Sequence, residues 1–214
     1  MIRRTELETL IPAVATGSQF NSALGSPRKI LQRVMISSII GVILLVFSQS
    51  QVTSQFYPIW LILGVISLLY ILWSPILEAS RRNSKLRAYP YSAIFHGEIS
   101  DINLNERIIN SHEQANNRGE LELIENRRTW MTLSLSDEDG YLTDLSFPRE
   151  KSHSALRVGQ EILCLVLCNY KDFSDTIEVS DCWLPRQNLW IGEYPYLLRP
   201  AFQELSRKRI KNYV

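Results

Sequence analysis

The feature that most constrains the fold is a segment of 44 residues without charge. Residues 34–77 contain no Asp, Glu, Lys, Arg or His, although 21% of the whole chain is charged. A membrane-spanning helix needs about 20 apolar residues, and the hydrocarbon layer that it crosses is ~30 Å thick. Because a single helix of this length would extend about 66 Å, the segment predicts two spans rather than one.

A polar sequence divides this segment in its middle. Residues 48–55 read SQSQVTSQ, which is unfavourable in hydrocarbon and favourable in a turn exposed to water. Aromatic rings near both ends of the second half, from Phe56 to Trp73, match the interfacial belts of membrane helices. We therefore predict a transmembrane helical hairpin over residues 30–78, with spans at about 30–49 and 56–77. The alternative is a pair of core helices in a soluble protein, which would need a large globular core around them.

Basic residues flank the hairpin on both sides and are missing from its turn. Since basic residues stay on the cytoplasmic side of a membrane, we predict an integral membrane protein with both termini in the cytoplasm, or in the stroma of a plastid. Arg33 is expected to extend its guanidinium towards the headgroups. The side chains expected at the membrane surface are those of Arg28, Lys29, Arg33, Arg81, Arg82, Lys85 and Arg87.

The chain after the hairpin is acidic and has the period of β-strands. Residues 88–214 carry 14 Lys and Arg against 19 Asp and Glu, which disfavours nucleic-acid binding. Short alternating segments follow one another, with a hairpin turn at Asp139-Gly140 and a polar loop over residues 110–120. They predict a small antiparallel β-barrel-like domain of OB or SH3 type, or alternatively a PH-like barrel closed by a C-terminal helix.

No pattern of catalytic, cofactor-binding or metal-ligating residues stands out, so we predict a protein that is not an enzyme. Cys164, Cys168 and Cys182 are expected to be small core residues in a reducing compartment. If a catalytic site is assembled from distant residues, the first candidates are His96, Asp137, Asp139 and Asp144.

Aromatic residues and prolines concentrate in the segment WLPRQNLWIGEYPYLLRPAF, residues 183–202. Aromatic rings combined with Arg are typical of interface hot spots. The alternative is an extended arm packed on its own domain. The side chains predicted to bind a partner are those of Trp183, Arg186, Trp190, Tyr194, Tyr196 and Phe202.

The two N-terminal spans, the strand YPYSAIFHGEI and the sequence NLWIGEYPYL together resemble uncharacterised two-span membrane proteins of cyanobacteria and chloroplasts. The resemblance covers most of the chain and implies a thylakoid or plasma-membrane setting. It carries over no catalytic residue.

These patterns predict five segments: a cytoplasmic N-terminal segment (1–29), the transmembrane hairpin (30–78), a basic hinge (79–88), a β domain (89–184), and an aromatic arm with a basic tail (185–214). The expected function is that of a membrane-anchored accessory, assembly or regulatory subunit of a larger membrane complex, with photosynthetic complexes among the candidates. The alternatives are a small transporter subunit and a β domain that senses lipid headgroups. The expected partners are other complex subunits and the bilayer.

Overall fold

Helices precede strands along the chain in the computed structural model, which describes residues 1–115, 121–173 and 176–213. Two compact units are present. The helical unit is Ile11–Ala88, and the sheet unit combines Met1–Leu10 with Tyr89–Val214. The N-terminal segment predicted over residues 1–29 therefore contributes to both units, and its first ten residues belong with the sheet.

The helical unit contains the charge-free segment. Its helices are α2 (Gly17–Leu24), α3 (Pro27–Ser50), α4 (Tyr57–Leu68) and α5 (Tyr70–Arg87), while α1 (Arg4–Leu10) belongs to the sheet unit. By length and apolar composition, α3 is able to cross a membrane. The basic hinge predicted over residues 79–88 is the last part of α5 and is helical through Arg87.

The second predicted span, residues 56–77, is broken at Leu69. Helices α4 and α5 meet there at 73°, so they would count as a second span only if the bent pair is taken together. Pro75 lies inside α5 and has no N–H to donate to the carbonyl one turn earlier. The helix is thereby weakened next to the break, which the apolar composition of the segment alone did not indicate.

Side chains satisfy the carbonyl groups that the break exposes. The indole Nε1 of Trp73 donates to the carbonyl of Ile66 at 3.0 Å. The hydroxyl of Ser37, on α3, lies 2.9 Å from the carbonyl oxygen of Ser67 and 2.7 Å from that of Leu68. Unpaired backbone groups are costly in an apolar environment, so these contacts stabilise the bent form of the pair.

Helices α3 and α4 pack closely through two reciprocal glycine–leucine contacts. A Cβ added at Gly41 of α3 would lie 2.5 Å from Cδ2 of Leu68, and one added at Gly64 of α4 would lie 2.8 Å from Cδ2 of Leu45. Small residues that let helix backbones approach are typical of packed membrane helices. The two helices therefore form a paired structure in which most large apolar side chains point outwards.

We expect Gly41→Ala to lower the stability of the helical unit by about 1–3 kcal/mol, because the new methyl group overpacks against Leu68. The matched control is Gly17→Ala, since a Cβ at that position meets nothing within 4 Å. In a helix this control should be neutral or stabilising by about 0.5–1 kcal/mol. Thermal unfolding in detergent checks both, and equal effects of the two substitutions would contradict the packing.

The sheet unit is built on one antiparallel sheet of seven strands. In chain order the strands are β1 (Tyr91–Ala115), β2 (Leu121–Ser136), β3 (Leu142–Pro148), β4 (Glu161–Cys168), β5 (Thr176–Val179), β6 (Cys182–Leu184) and β7 (Leu189–Ile191), and they are followed by α6 (Arg199–Tyr213). Their spatial order is β3-β2-β1-β4-β6-β7, with β5 also paired to β4.

The sheet is open, which corrects the prediction of an OB-, SH3- or PH-like barrel. Within the described residues, β3 and β7 are the two ends of the strand order and do not pair with each other. Strands β5, β6 and β7 are only three or four residues long, too short to continue the sheet around a barrel. The C-terminal helix is present as α6, but it does not accompany a closed sheet.

Two sequence predictions about the core are confirmed. Strand β4 is central and is buried along nearly its whole length. The hairpin β2–β3 turns at Gly140, where φ is +83°, and its inward residues Met131, Leu133 and Leu135 are buried. Alternation with period two and a glycine able to adopt positive φ were sufficient to place this hairpin.

The predicted polar loop over residues 110–120 is wrong for its first half. Residues 110–115 continue β1 and pair with residues 121–126 of β2, and residues 116–120 lie outside the described residues. We call residues 104–115 and 121–129 the ribbon. Strand β4 pairs only with residues 91–98 of β1, and β3 only with residues 130–136 of β2, so the ribbon extends past both neighbours.

The N-terminal residues are fastened to the sheet unit by contacts across the whole chain. The amide of Ile2 donates to the carbonyl of Ser92 at 2.8 Å, and the amide of Leu198 donates to the carbonyl of Leu10 at 2.8 Å. The guanidinium of Arg209 contacts the Met1 carbonyl at 2.7 Å and the Glu6 carboxylate at 3.0 Å. Helix α1 is thus an integral part of the sheet unit.

Candidate functional site

The aromatic side chains of the arm pack on one another. Trp183 and Trp190 are stacked with their ring centres 6.3 Å apart, and Phe202 meets Trp190 edge-on at 5.8 Å. Tyr194 and Tyr196 form a second edge-on pair at 4.8 Å. The cross-strand pairing of β6 with β7, which sets Trp183 opposite Trp190, brings the first cluster together.

Burial divides the six predicted partner-binding residues. Trp183, Tyr194 and Phe202 are buried, at 3%, 3% and 0% exposure, so their rings contact the protein's own core. Trp190 and Tyr196 are half-buried, and Arg186 is exposed, with its Nε 4.0 Å from Glu161. The alternative of an arm packed on its own domain therefore accounts for the three buried rings, while partner binding by the other residues stays a prediction.

Two arginines of α6 cover the tryptophan pair. The guanidinium of Arg199 lies 5.2 Å from the ring centre of Trp190, and that of Arg207 lies 5.8 Å from the ring centre of Trp183. Cations over aromatic faces are attracted by the ring quadrupole. These contacts attach α6 to the β6–β7 pair.

The most unusual group in the arm region is the carboxyl of Asp181, which sequence reasoning missed. It is 4% exposed, and its Oδ1 accepts a hydrogen bond from the amide of Leu197 at 2.9 Å. Its Oδ2 is buried and has no hydrogen-bond partner among the described residues. Burial raises the pKa of Asp181 to about 7, against the opposing effects of the Leu197 hydrogen bond and the charge of Arg199. The group therefore changes charge near neutral pH.

Close backbone packing surrounds this carboxyl. Gly192 has φ of +151°, and a Cβ added there would lie 3.0 Å from both Cα and Cβ of Asp181. The hydroxyl of Ser180 accepts from the amide of Leu165 at 3.0 Å and donates to the carbonyl of Asp181 at 2.8 Å. Asp181 thus joins the end of the sheet to the irregular segment that leads into α6.

The three cysteines are buried free thiols, in agreement with their expected place in the core. Burial, together with a hydrogen bond to Cys164, raises the pKa of Cys182 well above its usual value. A thiol that stays protonated is a poor nucleophile and a poor metal ligand. The cysteines therefore act as core residues.

The basic residues predicted at the membrane surface are not all free to meet lipid. Arg33 is 8% exposed, and its guanidinium donates to the Glu78 carboxylate at 2.7 Å and to the Leu24 carbonyl at 3.1 Å. The opposite charge of Glu78 thus holds Arg33 within the helical unit, and its contact with the headgroups stays a prediction. Glu78 also contacts Arg82 at 2.9 Å and Lys29 at 3.6 Å.

The remaining residues of that set differ in exposure. Arg28, Arg81 and Lys85 are exposed, whereas Arg87 is half-buried. Because α5 is helical through residue 87, Arg81 and Lys85 lie on one helix face, four residues apart. Surface contact with lipid stays a prediction for these exposed side chains.

The four residues considered for catalysis are not brought into one cluster. His96 contacts Glu161 at 2.9 Å on an exposed part of the sheet. Asp137 accepts the amide of Tyr141 in the hairpin turn, and Asp144 accepts the hydroxyl of Ser134. Among the described residues, no group of three or more His, Cys, Asp or Glu side chains is arranged to hold a metal ion.

The sequence of this chain is similar to that of a known protein family. The sequence model of a family of unknown function, DUF8619, matches residues 1–212, which is nearly the whole chain. The chain belongs to the DUF8619 family. No curated protein and no solved structure matches it. The match includes residues of both the helical unit and the sheet unit.

The groups that sequence reasoning missed in this DUF8619 protein depend on long-range contacts. Asp181 is one acidic residue among 22, and nothing in its neighbours marks it as buried. Glu78 carried a weak signal, because it is the first charged residue after the charge-free segment and faces three basic residues in the flanks. An acidic residue at the end of an apolar span is therefore worth testing as an ion-pair partner.

Proposed function

We propose that this protein is a membrane-anchored, non-enzymatic accessory or assembly subunit of a larger membrane complex, held by a two-span helical hairpin. The observation that carries the proposal is that two separate parts of the chain, Met1–Leu10 and Tyr89–Val214, form the sheet unit. The apolar helical unit lies between them in the sequence. The resemblance to proteins of cyanobacteria and chloroplasts favours a thylakoid or plasma membrane as the location.

The surface of the helical unit supports the membrane assignment. Only 17% of the most apolar 18-residue stretch of α3 is buried, whereas the core helix of a soluble protein is mostly buried. Ile39, Ile43 and Val46 of this helix are 55%, 60% and 65% exposed. Contiguous apolar surface on this scale is unfavourable in water and favourable in lipid.

The connection between the units supports two crossings. The chain leaves the sheet unit after Leu10 and returns to it at Tyr89. One compact unit lies on one side of a bilayer, so the intervening residues cross it an even number of times. If α3 is one span, the bent pair of α4 and α5 supplies the return. The turn near Ser50 then lies on the opposite side from both termini.

The topology is tested with Ser50→Cys, because Ser50 is exposed at the end of α3 and the three native thiols are buried. We expect a membrane-impermeant maleimide to label position 50 from the periplasmic or lumenal side only. The control is Ser84→Cys on α5, which is exposed and should be labelled from the cytoplasmic or stromal side. Labelling of both positions from one side would contradict two spans.

The accessory role is tested by isolating the full-length protein from its native membranes in mild detergent. We expect it to migrate on a native gel with the same membrane-protein subunits in repeated preparations. The ribbon supports this role, since it exposes apolar side chains on a two-stranded extension that is only marginally stable by itself. Migration as a monomer from fresh native membranes would contradict the role.

A further inference from the structure

The ribbon is a two-stranded extension with two free edges. Residues 104–115 are roughly 36 Å long, and they begin six residues after Glu98, the last residue of β1 that pairs with β4. Within the described residues, no third strand pairs with either edge. Free edges and two solvent-exposed faces make a ribbon available for contact with another chain.

One face of the ribbon continues the core face of the sheet and exposes apolar side chains. Cross-strand pairing puts Leu104 opposite Met131, which is buried, and the same face then carries Ile108, Leu123 and Leu121 towards the tip. The four exposed side chains are Leu104 (49%), Ile108 (55%), Leu121 (72%) and Leu123 (57%). This face also carries Glu106, Glu113 and Glu125, with Arg127 between Glu106 and Glu125.

The other face carries two arginines directly opposite each other. Arg107 of β1 pairs across the strands with Arg128 of β2. Like charges in directly opposed positions destabilise a sheet. The guanidinium of Arg107 lies over the ring of Trp130 at 4.3 Å, and among the described residues neither arginine forms an ion pair with a carboxylate. The pair is therefore a site where an added anionic group would relieve repulsion.

We propose that the ribbon is the docking arm for a protein partner that presents carboxylate side chains to Arg107 and Arg128 and an apolar surface to Leu104, Ile108, Leu121 and Leu123. This inference rests on the proposed function, because it names the surface by which the accessory subunit would join its complex. Arg and Trp side by side on a solvent-exposed surface are typical of energetically dominant interface residues.

The charges of the two faces favour a protein over the other occupants. An anionic membrane would attract the arginine pair but repel Glu106, Glu113 and Glu125 on the opposite face. A second copy of this chain could bring those glutamates to the arginine pair only by placing unlike faces together. Such a head-to-tail contact builds a ring or an open chain of subunits rather than a two-fold dimer.

The test compares full-length variants isolated from native membranes. We expect Arg107→Glu/Arg128→Glu to reduce the co-isolated partner about tenfold or more. The matched control is Arg149→Glu/Lys151→Glu, which makes the same change of charge at exposed positions outside the ribbon and should retain the partner. Unchanged far-ultraviolet circular dichroism and thermal midpoint show that each variant folds. A variant carrying Leu121→Ser/Leu123→Ser tests the apolar face separately and should also lose the partner.

A photoreactive residue at position 108 identifies what covers the ribbon. The expected cross-linked product joins position 108 to an acidic segment of the same partner. Replacing the Asp and Glu residues of that segment by Asn and Gln should abolish the cross-link. Retention of the partner by Arg107→Glu/Arg128→Glu, or products joined only to lipid or to a second copy of this chain, would overturn the docking arm. Failure to isolate any partner with the native protein would instead refute the accessory role itself.

Discussion

The native sheet unit is expected to lose stability as the pH rises from about 4 to about 7, and Asp181→Asn is expected to abolish this loss. Burial raises the pKa of Asp181 from 3.8 to about 7 in the folded chain. Between these two values the unfolded chain has released the proton while the folded chain keeps it, so the free energy of unfolding falls with rising pH. The difference between the two pKa values corresponds to a loss of about 4 kcal/mol in the free energy of unfolding. This loss is complete near pH 7.

The physical reason is the absence of a charged partner at hydrogen-bonding distance. One carboxyl oxygen accepts the amide of Leu197, and the other has no partner among the described residues. Above about pH 7 the folded protein therefore holds a buried anion whose charge is offset only in part, by Arg199. Asn keeps the acceptor for Leu197 and carries no charge at any pH.

Denaturant unfolding at about pH 5 and about pH 8, followed by tryptophan fluorescence, checks this expectation. The native protein should lose more stability between the two pH values than Asp181→Asn does. The control is Asp139→Asn, at an exposed position in the β2–β3 turn, which should follow the native protein. Parallel curves for the native protein and Asp181→Asn would show that the carboxyl does not titrate in this range.

Glu78→Ala is expected to destabilise the helical unit by about 3–5 kcal/mol, because it leaves the buried guanidinium of Arg33 without its counter-ion. Arg33 would retain only the carbonyl of Leu24 as an acceptor among its described contacts. Replacement of both partners, as in Arg33→Met/Glu78→Leu, should restore most of the loss, since no unpaired charge then remains. Removing one partner of the ion pair is thus expected to destabilise the helical unit more than removing both partners.

Unfolding in a denaturing detergent, followed by helical ellipticity, measures these effects. The control is Glu204→Ala, which removes an exposed ion pair to Lys208 at 2.6 Å and should have a much smaller effect, because water screens exposed pairs. If Glu78→Ala and Glu204→Ala have equal effects, the contact of Arg33 with Glu78 is not a buried pair in the membrane-bound protein.

Local pattern was sufficient where neighbouring residues determine the structure. The absence of charge from Val34 to Leu77 indicated the apolar helices, and alternation around Gly140 indicated the β2–β3 hairpin. The unbroken apolar run of β4 indicated a central strand. In each case the decisive property, charge, period or positive φ, belongs to the segment itself.

The errors arose where distant residues determine the structure. Residues 110–115 are polar and resemble a loop, but pairing with β2 makes them a strand. At the break near Leu69, the hydroxyl of Ser37 contacts the exposed carbonyls from about thirty residues earlier in the chain, and such a contact leaves no periodic pattern in the sequence. Strands β6 and β7 have only three residues each, and runs this short give too little alternation to show from sequence whether the sheet closes.

The division of the sheet unit between the two ends of the chain has a consequence for biosynthesis. Residues Met1–Leu10 are synthesised before the helical unit, but their contacts include the amide of Leu198 and the guanidinium of Arg209. The apolar helices are therefore made before α1 has any sheet to join. Helix α1 therefore takes its place only after β1 and α6 have been made, so the sheet unit assembles from parts synthesised at well-separated times.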